Sequence, residues 1–252
     1  MSRVDRPRIG ISRCLLGDEV RYDGGHKRDA LLVDTLGPFV EWVPVCPEVE
    51  MGMGTPREPI QLVAAADGVP SGSHRVRLVG VSSGRDWTVS IVEWRRERLH
   101  ELSRERLAGY VLKKDSPSCG LEGVRVHTPR GVVRAGRGLF AEALVATMPS
   151  LPIEDESRLL DRHRRENFVE RVFAYDRLQR FFAGEWTADG LVTFHTSHEP
   201  QLLSHSRAAC EALGRLVTRA KELGRRELVA RYEGGFMDAL RHPRELCLQN
   251  HA

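Results

Sequence analysis

Through its first 148 residues the chain alternates short runs rich in Val and Ile with segments whose apolar residues recur at helical spacing. Each run is stopped by glycine or proline, and such alternation restricts a chain to layered folds of sheet and helix. Strands are predicted over Arg8–Ser12, Val40–Val45, Val76–Val81 and Tyr110–Leu112. Helices are predicted over Arg28–Leu36, Thr88–Leu107 and Gly138–Thr147, the second with Thr88 as its N-cap. Strands joined by crossover helices give a largely parallel sheet, and ligands of such folds gather at the carboxyl ends of the strands. Beyond this stretch the pattern is helical only. Glu154–Phe182, Gln201–Leu223 and Arg225–Leu240 carry apolar stripes, among them Phe168, Val172, Tyr175, Leu178 and Phe182, and then Leu228, Tyr232, Phe236 and Leu240. Two prolines in Met148-Pro149-Ser150-Leu151-Pro152 mark the boundary. The expected architecture is therefore an α/β domain over residues 1–150 followed by an all-α domain over 151–252.

With 41% hydrophobic and 29% charged residues, the 252-residue chain is expected to form a packed soluble core rather than to be disordered. No apolar run approaches the ~20 residues that cross a bilayer. The segment Met1 to Arg8 is polar and basic with no apolar stretch behind it, so a cytoplasmic protein is expected. A net charge of +3 does not by itself announce a nucleic-acid partner. Nearly all the cations are Arg, which suits phosphate recognition, although a GC-rich genome gives the same bias.

Five cysteines are an odd number for a disulfide framework, and the expected compartment is reducing. Cys14, Cys46 and Cys119 each follow a predicted strand, and each has glycine or proline close behind it. Taken singly, each reads as a buried structural residue; three in matching contexts read as one shared site. Thiolates suit zinc, copper(I) or an iron–sulfur cluster, and the absence of C-x-x-C pairs weakens the zinc reading. Cys210 falls in a helical stripe and Cys247 near the end of the sequence; both read as core or incidental residues.

The blocks Cys14-Leu-Leu-Gly17, Arg21-Tyr-Asp-Gly24, Val45-Cys-Pro-Glu48, Thr55-Pro-Arg-Glu58 and Ser116-Pro-Ser-Cys-Gly120 resemble, in this order, those of the thiouracil desulfidase family. The resemblance covers roughly residues 7–150. It implies a [4Fe-4S] cluster on Cys14, Cys46 and Cys119 with one iron open to a thiocarbonyl sulfur, and a net hydrolysis of C=S to C=O without nicotinamide or flavin. It gives Ser116 a place beside the cluster, positioning water or substrate. The reaction also needs a general acid/base, for which Glu48 is the first candidate and Glu50 the second. On the residues alone, Ser116 would be a turn former before Pro117 and Glu48 a loop carboxylate. Arg57, Asp23 and Arg21 are candidates for substrate contact, Arg57 through its planar fork, with surface ion pairs and a turn as the competing readings. Lys113 and Lys114 read as a solvated strand end.

The second half resembles the YbgA-type domain in Asn167–Tyr175, Leu191–His198 and Leu203–Ser206, and ends earlier than a whole domain of that type is expected to. A desulfidase domain fused to this one resembles enzymes that remove sulfur from 4-thiouridine in tRNA, with the helical domain helping to hold the RNA. A thiolated pyrimidine nucleotide, or tRNA through the helical domain, is thus the expected partner, and no membrane. The alternatives are a desulfidase for free thiouracil or a thionucleotide, and a non-catalytic RNA-binding or sulfur-sensing metalloprotein. His195, His198 and His205 with Glu199 read as structural or RNA-facing rather than as a metal site, because Leu191–His195 looks strand-like and Pro200 breaks the helical run after it. Phe168, Phe173, Tyr175, Phe181 and Phe182 read as helix packing, and Arg162, Arg164, Arg165, Arg171 and Arg177 as candidate phosphate contacts.

Overall fold

Four short strands build the first sheet: β1 (Arg8–Ser12), β2 (Glu41–Val45), β5 (Leu107–Leu112) and β8 (Ile153–Asp155). They lie in the order β2-β1-β5-β8, with every neighbouring pair parallel. The computed structural model describes residues 6–64, 76–242 and 244, so Cys247 lies outside the described residues. All six residues of β5 are buried, as a central parallel strand requires. Gly10 pairs with Tyr110 because only a glycine fits there: a Cβ would lie 2.2 Å from the Tyr110 ring.

The second sheet joins β3 (Ile60–Ala64), β4 (Val76–Gly80), β6 (Val124–Thr128) and β7 (Gly131–Gly136) in the order β4-β3-β6-β7. Only its central pair, β3 with β6, is parallel. The run predicted as a strand over Val76–Val81 belongs to this mixed sheet, antiparallel to β3, and not to the parallel one. Helix α2 (Thr88–Arg104) covers it, with Ile91 packing on Leu62, Leu78 and Val126. Thr88 is the first helical residue rather than the cap. Its N–H donates to Asp86 Oδ1 at 2.8 Å and its hydroxyl accepts from Leu78 N at 2.9 Å, so Asp86 satisfies the helix start. The helix stops at Arg104 because Arg106 turns left-handed (φ 51°) and the chain enters β5 at once. In place of the helix predicted over Arg28–Leu36 there is one π-helical turn, Leu31–Leu36, before Gly37 and Pro38.

The chain forms two compact units: residues 1–148 with 153–162, and residues 149–152 with 163–252. The helix predicted from Glu154 begins at Arg162, because Ile153–Asp155 pairs with Tyr110–Leu112 instead. Asp155 ends that strand by accepting from the backbone N–H groups of Ser157 and Arg158. The second unit consists of α4 (Arg162–Ala183), α5 (Ala188–His205), α6 (Arg207–Thr218) and α7 (Arg225–Ala239). The predicted stripes form its core: Phe168, Val172, Tyr175 and Leu178 on α4 and Leu228, Tyr232 and Phe236 on α7 are buried. Arg171, a candidate phosphate contact, is buried as well. The strand-like run Leu191–His195 is helix, started by Thr187, whose hydroxyl accepts from Gly190 N at 3.0 Å. Pro200 lies within α5, where it costs one backbone hydrogen bond.

On α4, burial alone would raise the Glu170 carboxyl. Hydrogen bonds from His205, Arg244 and Gln201 outweigh it and bring the group down to about 2. The carboxylate therefore stabilises the fold above its ordinary value of 4.5, and that contribution is lost as pH falls through about 2. Glu170→Gln should lower the urea midpoint at pH 6, and the gap from the parent should narrow steadily from pH 4.5 towards pH 2. A gap that does not change with pH would refute this assignment.

Candidate functional site

Strands β2, β1 and β5 are neighbours; Cys46 and Cys14 come directly after the carboxyl ends of β2 and β1, and Cys119 lies in the loop that follows β5. Cys14 sits in the tight turn Arg13–Leu16, closed by Gly17 at a left-handed φ of 106°; its carbonyl accepts from Lys27 N at 2.9 Å. Cys46 is the N-cap of the four-residue helix α1 (Pro47–Glu50). Cys119 lies in the turn Ser116–Gly120, where the Ser116 hydroxyl accepts from the N–H groups of Ser118 (3.2 Å) and Cys119 (3.0 Å). All three line one cleft of about 520 Å³. The second sheet supplies part of the wall, including Gln61 from β3 and Arg125 and His127 from β6.

The Cys119 turn is fixed from behind by the start of α3 (Leu139–Thr147). Leu139 N donates to Pro117 O, Phe140 N donates to Ser118 O, and Gly138 N donates to Gly120 O at 2.8 Å. A Cβ on Gly138 would lie 2.4 Å from the backbone carbonyl of Ser118 and 2.7 Å from Cys119 N. Backbone cannot swing aside as a side chain can. Gly138→Ala should therefore cost about 1–3 kcal/mol and displace the Cys119 turn, read as a lower urea midpoint.

Glu48 is the carboxylate at the centre. It is buried, with Oε2 3.5 Å from Cys46 Sγ and Oε1 3.5 Å from Ser116 Oγ. Burial raises all three thiols, and the Glu48 charge adds to the effect at each: Cys14 reaches about 11, Cys46 about 12, and Cys119 lies well above its ordinary value. Glu50 is used otherwise. It accepts from Cys46 N at 2.9 Å, pairs with Arg98 Nε at 3.3 Å, and does not line the cleft.

Arg57 and Arg21 line the cleft. The Arg57 fork is largely committed: one nitrogen donates to Val20 O and Gly54 O, both at 2.9 Å, and the other lies 3.9 Å from Glu48 Oε2. Arg21 lies over the Tyr22 ring, 5.4 Å from its centroid. Asp23 is not brought into the cleft wall; it is exposed and accepts from Gly25 N at 3.1 Å, the turn its sequence permits. Lys113 and Lys114 belong to the wall, and Lys113 is ion-paired with Glu156. The sequence pattern does not single out Ser12, a polar residue closing an apolar strand two places before Cys14. Nor does it single out Arg125 and His127, although their alternation with buried Val124 and Val126 is the period of a strand.

The histidines of α5 have separate partners. His195 meets Tyr232 Oη at 3.1 Å, His198 accepts from Arg177 Nε at 3.2 Å, and His205 faces Glu170 at 3.2 Å. Among the described residues no group of three or more His, Cys, Asp and Glu side chains is arranged to hold one metal ion. Cys210 is buried on α6.

YbbK, an uncharacterized protein of Bacillus subtilis (strain 168), is 31% identical over 140 residues, 54% of this chain and 88% of that protein. A solved structure, that of the [4Fe-4S]-dependent thiouracil desulfidase TudS, is 32% identical and covers 62% of this chain and 94% of that one, with a TM-score of 0.48. The model of the family described as 2-thiouracil desulfurase matches residues 9–156, which hold all three cleft cysteines and every strand residue of the two sheets except Arg8. The chain belongs to the 2-thiouracil desulfurase family.

Proposed function

We propose that the cleft hydrolyses the C=S group of a thiolated pyrimidine nucleotide, 4-thiouridine as nucleotide or within tRNA, to the oxo base and sulfide. Cys14, Cys46 and Cys119 hold a [4Fe-4S] cluster in this reading. The donor set fits: three thiols that follow adjacent strands line one cleft, and thiolates are the ligands an iron–sulfur cluster takes. When bound, a cluster with three cysteine ligands supplies an open iron as a Lewis acid for the thiocarbonyl sulfur.

The observation that carries the assignment is the position of Glu48, buried at the cleft with one oxygen 3.5 Å from the Cys46 sulfur and the other 3.5 Å from the Ser116 hydroxyl. Glu48 takes a proton from the water that adds to the ring carbon, and returns one to the leaving sulfide. Ser116, already accepting two backbone N–H groups, has its own hydroxyl proton left to orient that carboxylate or the water. Arg57 holds Glu48 from behind. The cleft wall carries seven Lys and Arg against three Asp and Glu, which favours an anionic nucleotide over a free base. The helical unit takes the RNA-holding role of the YbgA-type domains it resembles.

The test is to purify the whole chain without oxygen, count iron and sulfide, and follow the thiocarbonyl absorbance. The substrates are 4-thiouridine 5′-monophosphate, 2-thiouracil and thiolated tRNA. A full cluster, with turnover of nucleotide or tRNA preferred over the free base, supports the proposal. Preference for 2-thiouracil would reject the nucleotide assignment. Zinc in place of iron, or a full cluster without turnover of any of the three, would reject the enzyme.

A further inference from the structure

Strand β6 has two unlike faces. Val124 and Val126 are buried in the core under α2, while Arg125 and His127, which alternate with them, line the cleft. Strand β3 runs parallel beside it, with Leu62 opposite Val126 and Val63 opposite His127, and lines the cleft with Gln61. Most cations of the cleft wall are engaged: Arg13 with Asp18 at 2.6 Å, Arg21 with Asp23 at 3.6 Å, Arg57 with Glu48 at 3.9 Å, and Lys113 with Glu156. Arg125 is exposed and not engaged. Among the described residues its guanidinium has neither an ion pair nor a hydrogen bond, and the Gln61 and His127 side chains have no hydrogen bond. The other cleft cations without an ion pair, Lys27 and Lys114, lie in the loops after β1 and β5, which also carry Cys14 and Cys119; Arg125 lies on the other sheet.

We propose that Arg125, with Gln61 and His127 beside it, is the subsite for the 5′-phosphate of the substrate. The inference rests on the nucleotide reading above and deepens it, by naming the residues that hold the part of the nucleotide that does not react. A guanidinium presents a planar fork that matches two phosphate oxygens, and one without an acid partner gives up no ion pair to bind them. Gln61 and His127 supply neutral N–H donors from neighbouring positions. The placement also keeps like charges apart. Glu48 lies beside Cys46, in the loops beyond the first sheet, so an anion held on β6 leaves the uncharged ring to the cysteines. The chemistry recognised is a phosphate on the 5′ oxygen of a nucleoside, a monoester in a free nucleotide and a diester in RNA.

The experiment is calorimetric binding to the whole chain, purified without oxygen, of uridine, uridine 5′-monophosphate and uridine 5′-(methyl phosphate), a minimal diester. The parent is expected to bind the phosphates more tightly than uridine. Arg125→Gln should weaken monophosphate binding about tenfold, the low end for a hydrogen bond to a charged group because the site is exposed, and leave uridine binding unchanged. Arg130→Gln removes the same charge from the exposed turn after β6, outside the cleft wall, and should change neither. Loss with both esters supports a subsite that also fits an RNA backbone; loss with the monoester alone supports one for a free nucleotide. A parent that binds uridine as tightly as its phosphates overturns the inference. So does equal weakening of uridine and phosphate, no weakening, or an equal effect of Arg130→Gln. Phosphate binding through Arg125 in a chain that turns over no thiocarbonyl substrate would reject the proposed reaction and keep the subsite. Turnover of the nucleotide with no dependence on Arg125 would do the reverse.

Discussion

Cys119→Ala should purify folded but nearly iron-free, with turnover down by more than the ~10–100-fold that losing a mere supporting contact to a ligand costs. Alanine keeps most of the small buried volume, and the turn is held by backbone bonds that do not involve the sulfur: Ser116 Oγ accepts from Cys119 N, and Phe140 N donates to Ser118 O. Folding and metal binding are thereby separable at this position. Cys210→Ala is the matched control, since Cys210 is also buried but on α6. Iron counts and circular dichroism on the two variants decide the point. If Cys119→Ala retains a full cluster, the assigned ligand set is wrong.

Glu48→Gln is the second variant of large effect. It should keep the cluster and lower kcat by roughly 10²–10⁴-fold, the usual worth of a positioned proton acceptor. Glutamine fills the same space between Cys46 and Ser116 but cannot accept the proton. Glu50 stands in contrast. Its oxygen accepts from Cys46 N, which an amide oxygen can also do, and burial already disfavours its charge. Glu50→Gln should therefore change the urea midpoint little and leave turnover per cluster near the parent's. Equal loss of turnover in both variants would remove the distinction drawn between the two carboxylates.

The ends of β1 were legible residue for residue, because an apolar run stopped by polar residues has little choice. The grouping of the three cysteines was legible for the same reason: parallel strands present their carboxyl ends on one side. The second sheet was not. Gly131–Gly136 has no buried residue and leaves Val132 55% exposed, so its alternation carries little hydrophobic contrast. Val124–Thr128 has the contrast, but Arg125 and His127 line the cleft and make the run look like loop. In α5, Val192, Thr193 and Phe194 favour strand locally, while the cap at Thr187 and burial of Leu191, His195, His198 and Leu202 impose the helix. Which of Glu48 and Glu50 lines the cleft needed coordinates, since two carboxylates two residues apart in one helical turn point in different directions.

Strand β8 has a consequence for how this gene can be cut. Pro149–Pro152 belongs to the helical unit, yet the next ten residues return to the sheet, and Ile153–Asp155 completes its edge beside β5. A transplant of the first unit that ended at the proline-marked boundary would leave β5, the strand that carries the Cys119 turn, with its backbone donors and acceptors bare on one side. The portable cassette runs to Arg162, and the family match agrees by extending to residue 156, past the last residue of β8. Shuffled versions joined after Arg162 should stay soluble as single chains, whereas those joined at 150 should self-associate through the open sheet edge.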